Sequence, residues 1–113
     1  MENQAIFFNE ILWRQFRPSF KMIEKVIESC PKAIWAQGNI DPPIWQQIYH
    51  VLYGIDYWFS ETKESFIPPE FKEGINSVLG EESDGFIEQE DMVGYLEHIE
   101  DKVDYFISNL LII

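Results

Sequence analysis

Residues 88–110, EQEDMVGYLEHIEDKVDYFISNL, carry the pattern that decides the fold class. Apolar side chains recur there at alternating spacings of four and three residues, at Met92, Leu96, Ile99, Val103, Phe106 and Leu110. This spacing places them on one face of an α-helix and is typical of the seam between the helices of a bundle. We therefore predict a long amphipathic helix that buries this face against neighbouring helices.

A second stretch with helical spacing runs from residue 4 to about residue 29. Its apolar face carries Ile6, Trp13, Phe16, Phe20, Ile23 and Ile27. Pro18 lies inside the pattern and lacks the backbone N–H that a helix interior uses, so the helix either bends there or ends near Arg17. We favour a bend, because the apolar positions stay in phase on both sides of the proline.

Residues 43–60 predict a further helix, introduced by Asp41-Pro42-Pro43. An aspartate can cap the free backbone amides of a helix, and prolines are tolerated in its first turn. One face carries Trp45, Ile48, Leu52, Ile55 and Phe59, and three more residues widen it, namely Ile44, Val51 and Trp58. A helix with so wide an apolar surface is expected to lie between neighbours and not at an edge.

The connections between these segments are rich in proline and glycine. Residues 30–40 predict a loop, and residues 61–87 predict a surface crossover in preference to a binding lid, with a short helix around 69–78. No run of alternating apolar and polar residues is long enough to predict a strand. We predict one all-α domain, residues 1–113, folded as an antiparallel up-and-down helical bundle with three long helices.

Composition excludes several classes of function. The net charge is −12 with only eight basic residues, which argues against binding a nucleic-acid backbone. The basic side chains Arg14, Arg17, Lys21 and Lys25 follow one helix, and we interpret them as a solvated face in preference to an anion-binding surface. Charges interrupt every apolar stretch before the ~20 residues that a membrane span requires. A lone Cys30 and an N-terminus without signal-peptide character lead us to expect a cytoplasmic protein.

His50 is the leading candidate for a functional side chain. Gln46, Tyr53 and Tyr57 lie within two helical turns of it, and Gly54 leaves room beside the imidazole, so we predict these residues as the lining of a pocket. His50 is either a core histidine whose nitrogens are hydrogen-bonded or a ligand to a metal such as zinc or nickel. One histidine is not a metal site, because a catalytic metal usually needs three protein ligands.

Three other side chains, those of His98, Asp56 and Cys30, are polar or reactive and could have a functional role. His98 lies opposite the apolar face of its helix and is expected to be exposed. Asp56 lies within an aromatic run, so its carboxylate needs either a partner or an exposed position. Cys30, next to a proline, has only Lys32 nearby as a cation, which makes a nucleophilic role a weak hypothesis.

Three segments together resemble one known family: ESCPKAIWAQG at 28–38, DPPIWQQIYHVLYGIDYWFS at 41–60 and EDMVGYLEHIEDKVDYFI at 90–107. They are similar to the DinB-like superfamily of four-helix bundles, which includes YfiT-type metal-dependent hydrolases and thiol S-transferases. In that family three histidines hold the metal, and the resemblance maps the first of them onto His50. The other two form a His-x-x-x-His pair on a last helix, and this sequence has no counterpart to them.

The resemblance implies a DinB-like bundle protein without a complete metal triad. We therefore expect a non-catalytic interaction or ligand-binding module, whose ligand would be a small molecule. The alternative is a metal-dependent hydrolase or thiol S-transferase, with His50 as one ligand to zinc or nickel; a truncated gene product is a third reading. A missing helix would leave an apolar face uncovered, so we expect a homodimer through that face.

Overall fold

The computed structural model describes residues 2–36, 42–60, 66–67, 75 and 85–109, with side chains from residue 10 onward. Four helices follow one another along the chain: α1 (Glu2–Ser29), α2 (Lys32–Trp35), α3 (Ile44–Trp58) and α4 (Gln89–Ser108). The described residues contain no strand, so the predicted all-α class is confirmed. The predicted cap at Asp41 and the end of the apolar seam at Leu110 lie outside the described residues, as does the predicted short helix except for Ile75.

The central element is α4, because α1 and α3 both pack against it, while α2 packs against α3. The order of contacts shows that α1 runs antiparallel to α4. In the first half of α1, the indole N–H of Trp13 donates to the carboxylate of Asp104, which lies late in α4. Near the end of α1, the carbonyl of Ile27 accepts a hydrogen bond from the side chain of Gln89, the first residue of α4.

The pair α3 and α4 runs parallel, which differs from the strict up-and-down order that the sequence predicts. The ring centroids of Tyr49 and Tyr95 lie 6.0 Å apart. The ring centroids of Phe59 and Phe106, which come later in the chain on each side of the pair, lie 5.2 Å apart. Positions along the two helices therefore increase together. The end of α3 and the start of α4 lie at opposite ends of the pair.

Packing against two neighbours changes which residues of α4 are buried. The buried set contains four of the predicted seam residues together with Tyr95 and Ile107, while the predicted seam residue Phe106 is 42% exposed. A helix covered on two sides buries a wider surface than a single seam, which brings Tyr95 into the core.

The buried face of α3 is narrower than the sequence predicts. α3 packs against both α4 and α2, but Val51 and Trp58, which were expected to widen its buried face, are 49% and 81% exposed. Its buried side chains instead form one face towards the core, with Trp45, Gln46, Tyr49, Leu52 and Asp56. α4, with its two neighbours, takes the central place, so the apolar residues on the far side of α3 face outward.

Two local features also differ from expectation. Residues predicted as a loop form α2, which is held because Trp35 is buried and its Nε1–H donates to the carbonyl of Ile87 over 2.7 Å. A helix end near Arg17 is ruled out, since α1 continues through Pro18. That proline is exposed, so water can satisfy the carbonyl that loses its backbone partner. None of the described helices is long and apolar enough to cross a membrane.

Candidate functional site

A buried polar cluster joins α3 to α4. The carboxylate of Asp56 is 1% exposed, and its Oδ1 accepts a hydrogen bond from the ammonium of Lys102 at 2.6 Å. Its other oxygen, Oδ2, accepts a hydrogen bond from the hydroxyl of Tyr95 at 2.8 Å. A buried carboxylate is costly unless it is paired and hydrogen-bonded, and here both of its oxygens have donors.

The ammonium of Lys102 is also saturated. Besides the carboxylate, it donates to the backbone oxygen of Asp56 at 2.9 Å and to the hydroxyl of Ser60 at 2.9 Å. An ammonium has three N–H donors, so all three have acceptors. The hydroxyl of Ser60 in turn donates to the carbonyl of Asp56 at 3.0 Å. This closes the last turn of α3 onto α4.

Phe66 packs aromatic surface over the cluster. The ammonium of Lys102 lies 5.6 Å from the centre of its ring, within the range of a cation–π contact. The ring also makes edge-to-face contacts with Tyr53 and Tyr57, at centroid separations of 5.2 and 5.4 Å. Phe66 therefore links the segment after α3 to the outer side of the ion pair.

Burial raises the pKa values of the two tyrosines beside this cluster. Desolvation, and then the nearby side chains of Tyr53 and Asp56, raises the pKa of Tyr49 to about 12. Desolvation and the hydrogen bond to Asp56 raise the pKa of Tyr95 further, because the carboxylate accepts the proton that the hydroxyl would have to lose. Both hydroxyls therefore stay protonated at neutral pH.

The donors and acceptors of the cluster satisfy one another across the contact between α3 and α4. All three N–H donors of Lys102 are used within the cluster, on Asp56 and Ser60. The hydroxyl of Ser60 donates its hydrogen bond to the backbone carbonyl of Asp56. The cluster thus contributes a satisfied polar network that fixes α3 against α4.

The structure separates the residues predicted to surround His50. His50 itself is exposed on α3, whereas Gln46 is buried and Tyr53 and Tyr57 are half-buried against Phe66. Within the described residues, no group of three or more His, Cys, Asp or Glu side chains could hold a metal ion. The described residues therefore do not provide the ligand set that the alternative prediction, a zinc or nickel site at His50, requires.

Two participants in the cluster were not identified from the sequence. Asp56 was expected to need a partner or exposure, and the structure provides partners in Tyr95 and Lys102. Neither residue belongs to the apolar seam that the sequence predicts for α4. His98 is exposed, as expected, and stacks on the ring of Tyr95 at 6.4 Å. A signal was present, since Lys102 is the only Lys or Arg in α4.

The outer face of α3 is the second notable surface. Gly54 lies at its centre, and the exposed side chains around it are Gln47, His50, Val51 and Trp58. The only Asp, Glu, Lys or Arg of this helix is Asp56, which is buried, so none of these four residue types lies on the exposed face. Among the described residues, a Cβ atom built on Gly54 would meet no atom within 4 Å, so they leave the space outside the helix open at this point.

Two grooves lie on the surface along α1. One of about 340 Å³ lies between α1 and α4, where Trp13 donates to Asp104 at 2.7 Å and Arg17 lies 5.0 Å from the centre of the Trp13 ring. Burial and neighbouring carboxylates, Glu24 first among them, raise the pKa of Glu100 in this groove. The other, of about 420 Å³, lies beside the half-buried Cys30 at the end of α1.

Comparison of the chain with protein-family models, with curated proteins and with solved structures finds no match. Its function therefore has to be inferred from its own residues.

Proposed function

We propose that this chain is a non-catalytic interaction module that binds an uncharged, apolar helix through the outer face of α3. The observation that carries the proposal is Trp58, a large aromatic side chain that is 81% exposed on a face without Asp, Glu, Lys or Arg. Tryptophan is enriched among the residues that dominate binding energy at protein interfaces.

The absence of charge on this face stands out against the rest of the chain. One quarter of all residues are charged and the net charge is −12. The exposed side of α4 follows that composition, with Glu90, Asp91, Glu97, Asp101 and Asp104. Charged residues are depleted at the centres of interfaces, because burying them unpaired is costly. An uncharged exposed strip on so acidic a protein therefore favours a surface that a partner covers.

The segments that resemble the DinB-like superfamily support an origin among four-helix bundles. The metal-dependent alternative receives no support from the described residues, which do not provide a ligand set around His50.

A photo-crosslinking residue in place of Val51 tests the proposal in cells that produce the chain. Val51 lies on the outer face of α3, and a crosslinker at Tyr105, which is exposed on α4, provides the matched control. We expect one discrete adduct from position 51 and none from position 105. The attached peptide, sequenced by mass spectrometry, should belong to an apolar helix.

Trp58→Glu should abolish the adduct at position 51, since a carboxylate would have to be buried in the interface. Absence of an adduct at position 51, or the same set of adducts at both positions, contradicts the proposal. Circular dichroism of each variant establishes that the helices are retained.

A further inference from the structure

The outer face of α3 combines three properties that together specify a partner. It carries no Asp, Glu, Lys or Arg, it presents Trp58 and Val51 as apolar contacts, and it has Gly54 at its centre, with no described atom within 4 Å of a Cβ built there. Resting on the proposed function, we infer that the partner is a second copy of this chain, bound through an antiparallel pairing of the two α3 helices about a two-fold axis near Gly54.

Charge is the first argument for a second copy. Two chains that each carry −12 repel one another wherever their acidic surfaces approach. The outer face of α3 can meet its own copy without opposing two carboxylates, because its exposed residues include no acidic side chain. The acidic exposed side of α4 would bring like charges together in a symmetric contact.

Shape is the second argument. A two-fold axis makes an isologous interface, in which each contact occurs twice. With the axis at Gly54, antiparallel helices place Trp58 of one copy opposite His50 and Val51 of the other. Helix axes approach to about 8 Å where the residues at the crossing are small. The glycine thus permits a close crossing, and the indole on each side covers the flanks.

The size of the face sets the expected strength. A helix of 15 residues is about 22 Å long and about 10 Å wide. The area of one face of such a helix is well below the roughly 800 Å² per partner of a standard interface. We therefore expect a reversible dimer with a dissociation constant in about the micromolar range or weaker.

Sedimentation equilibrium of the purified chain over a wide concentration range tests the inference. We expect a monomer–dimer equilibrium that Trp58→Glu weakens by roughly 30-fold or more, as for an interface hot spot. Tyr105→Glu, an equivalent change at an exposed aromatic residue of α4, should leave it unchanged. The dimer should strengthen as salt rises from about 0.01 to 0.15 M, because the Debye length falls from about 30 to 8 Å and screens the repulsion.

A cysteine substitution tests the position of the axis. In a Cys30→Ser background, Gly54→Cys should form a disulfide-linked dimer on mild oxidation, while Tyr105→Cys should not. If the Gly54→Cys helix content falls, Val51→Cys joined by a short bismaleimide replaces it as the readout.

Sedimentation as a monomer at every concentration with intact helices overturns the second-copy inference. If a crosslinker at position 51 then captures one other protein, the interaction module stands and only its partner is different. If it captures nothing, both proposals fail. A dimer that Tyr105→Glu disrupts and Trp58→Glu does not also overturns the inference, because the contact would then involve α4.

Discussion

The ammonium nitrogen of Lys102 lies 2.6 Å from the buried carboxylate of Asp56, across the interface between α3 and α4. The carboxylate is 1% exposed and the lysine side chain 25% exposed, so the pair is closed on one side and open to water on the other. The pair joins one residue of α3 to one residue of α4, so it constrains the register of the two helices. Its contribution to the free energy of unfolding can be tested by comparing a variant that breaks the pair with a variant that replaces both of its members.

Lys102→Met should destabilise the protein by about 3 kcal/mol, the lower end of the range for a buried carboxylate that loses its partner. The lower end is expected because the partly exposed site lets water reach the carboxylate. Urea unfolding followed by circular dichroism measures the free energy of unfolding. Lys25→Met, at an exposed position on α1, should change it by no more than about 0.5 kcal/mol.

The double variant Asp56→Leu with Lys102→Met should recover most of that loss. Replacing both members of an ion pair with apolar residues removes the unpaired charge and keeps the packing. A double variant that is less stable than either single variant would contradict this account of the pair.

Tyr95→Phe should lower the free energy of unfolding by about 1.5 to 3 kcal/mol, since it removes a hydrogen bond to a charged acceptor. The ring and its burial are retained, so the loss reports the hydroxyl alone. Tyr105→Phe makes the same chemical change at an exposed position of α4 and should be close to neutral. Equal effects of the two substitutions would show that the Asp56 carboxylate gains nothing from Tyr95.

Stability should fall at alkaline pH through Tyr49 and Tyr95. A tyrosine whose folded pKa is raised contributes stability that is fully present below the unfolded pKa of 10.0 and is lost as the pH rises through the folded pKa. For Tyr49 the window therefore lies between pH 10 and about 12. Thermal unfolding across this range measures the loss, with Tyr49→Phe expected to reduce it. An unchanged unfolding temperature up to pH 12 contradicts the prediction.

Gln89→Ala should destabilise the protein by about 1 to 2 kcal/mol, because two carbonyls at the end of α1 lose a donor. The side-chain amide of Gln89 donates to the carbonyls of Ile27 and Cys30 at 2.8 and 2.7 Å. Hydrogen exchange should show faster opening of the last turn of α1. Gln15→Ala, at an exposed position on α1, is the matched control.

Elemental analysis of the untagged protein tests the metal alternative. We expect zinc and nickel well below one equivalent, and no difference in His50→Ala, because the described residues offer His50 no set of protein ligands. Near-stoichiometric metal that disappears in His50→Ala would overturn this expectation. It would direct the search to ligands outside the described residues or on another subunit.

The periodicity of the sequence was sufficient to predict α1, α3 and α4 and most of the core, but not the short α2. Apolar residues spaced by three and four place Phe20, Ile27, Leu96 and Ile99 inside, because a helix that buries one face has only that arrangement available. The exposure of His98 follows from the same geometry. The need of Asp56 for a partner also follows from the sequence alone, since an aromatic neighbourhood cannot solvate a carboxylate.

Only the tertiary structure decided which side chains of different helices contact one another. The partners Tyr95 and Lys102 lie 39 and 46 residues from Asp56 in the chain, and their meeting depends on the direction and register of α3 against α4. Periodicity within one helix contains no information about either. For the same reason it could not show that α4 lies at the centre and that α3 turns Trp58 outward. The sequence by itself determined the three long helices α1, α3 and α4, and the packing of α4 against α1 and α3 determined which residues of α3 are exposed.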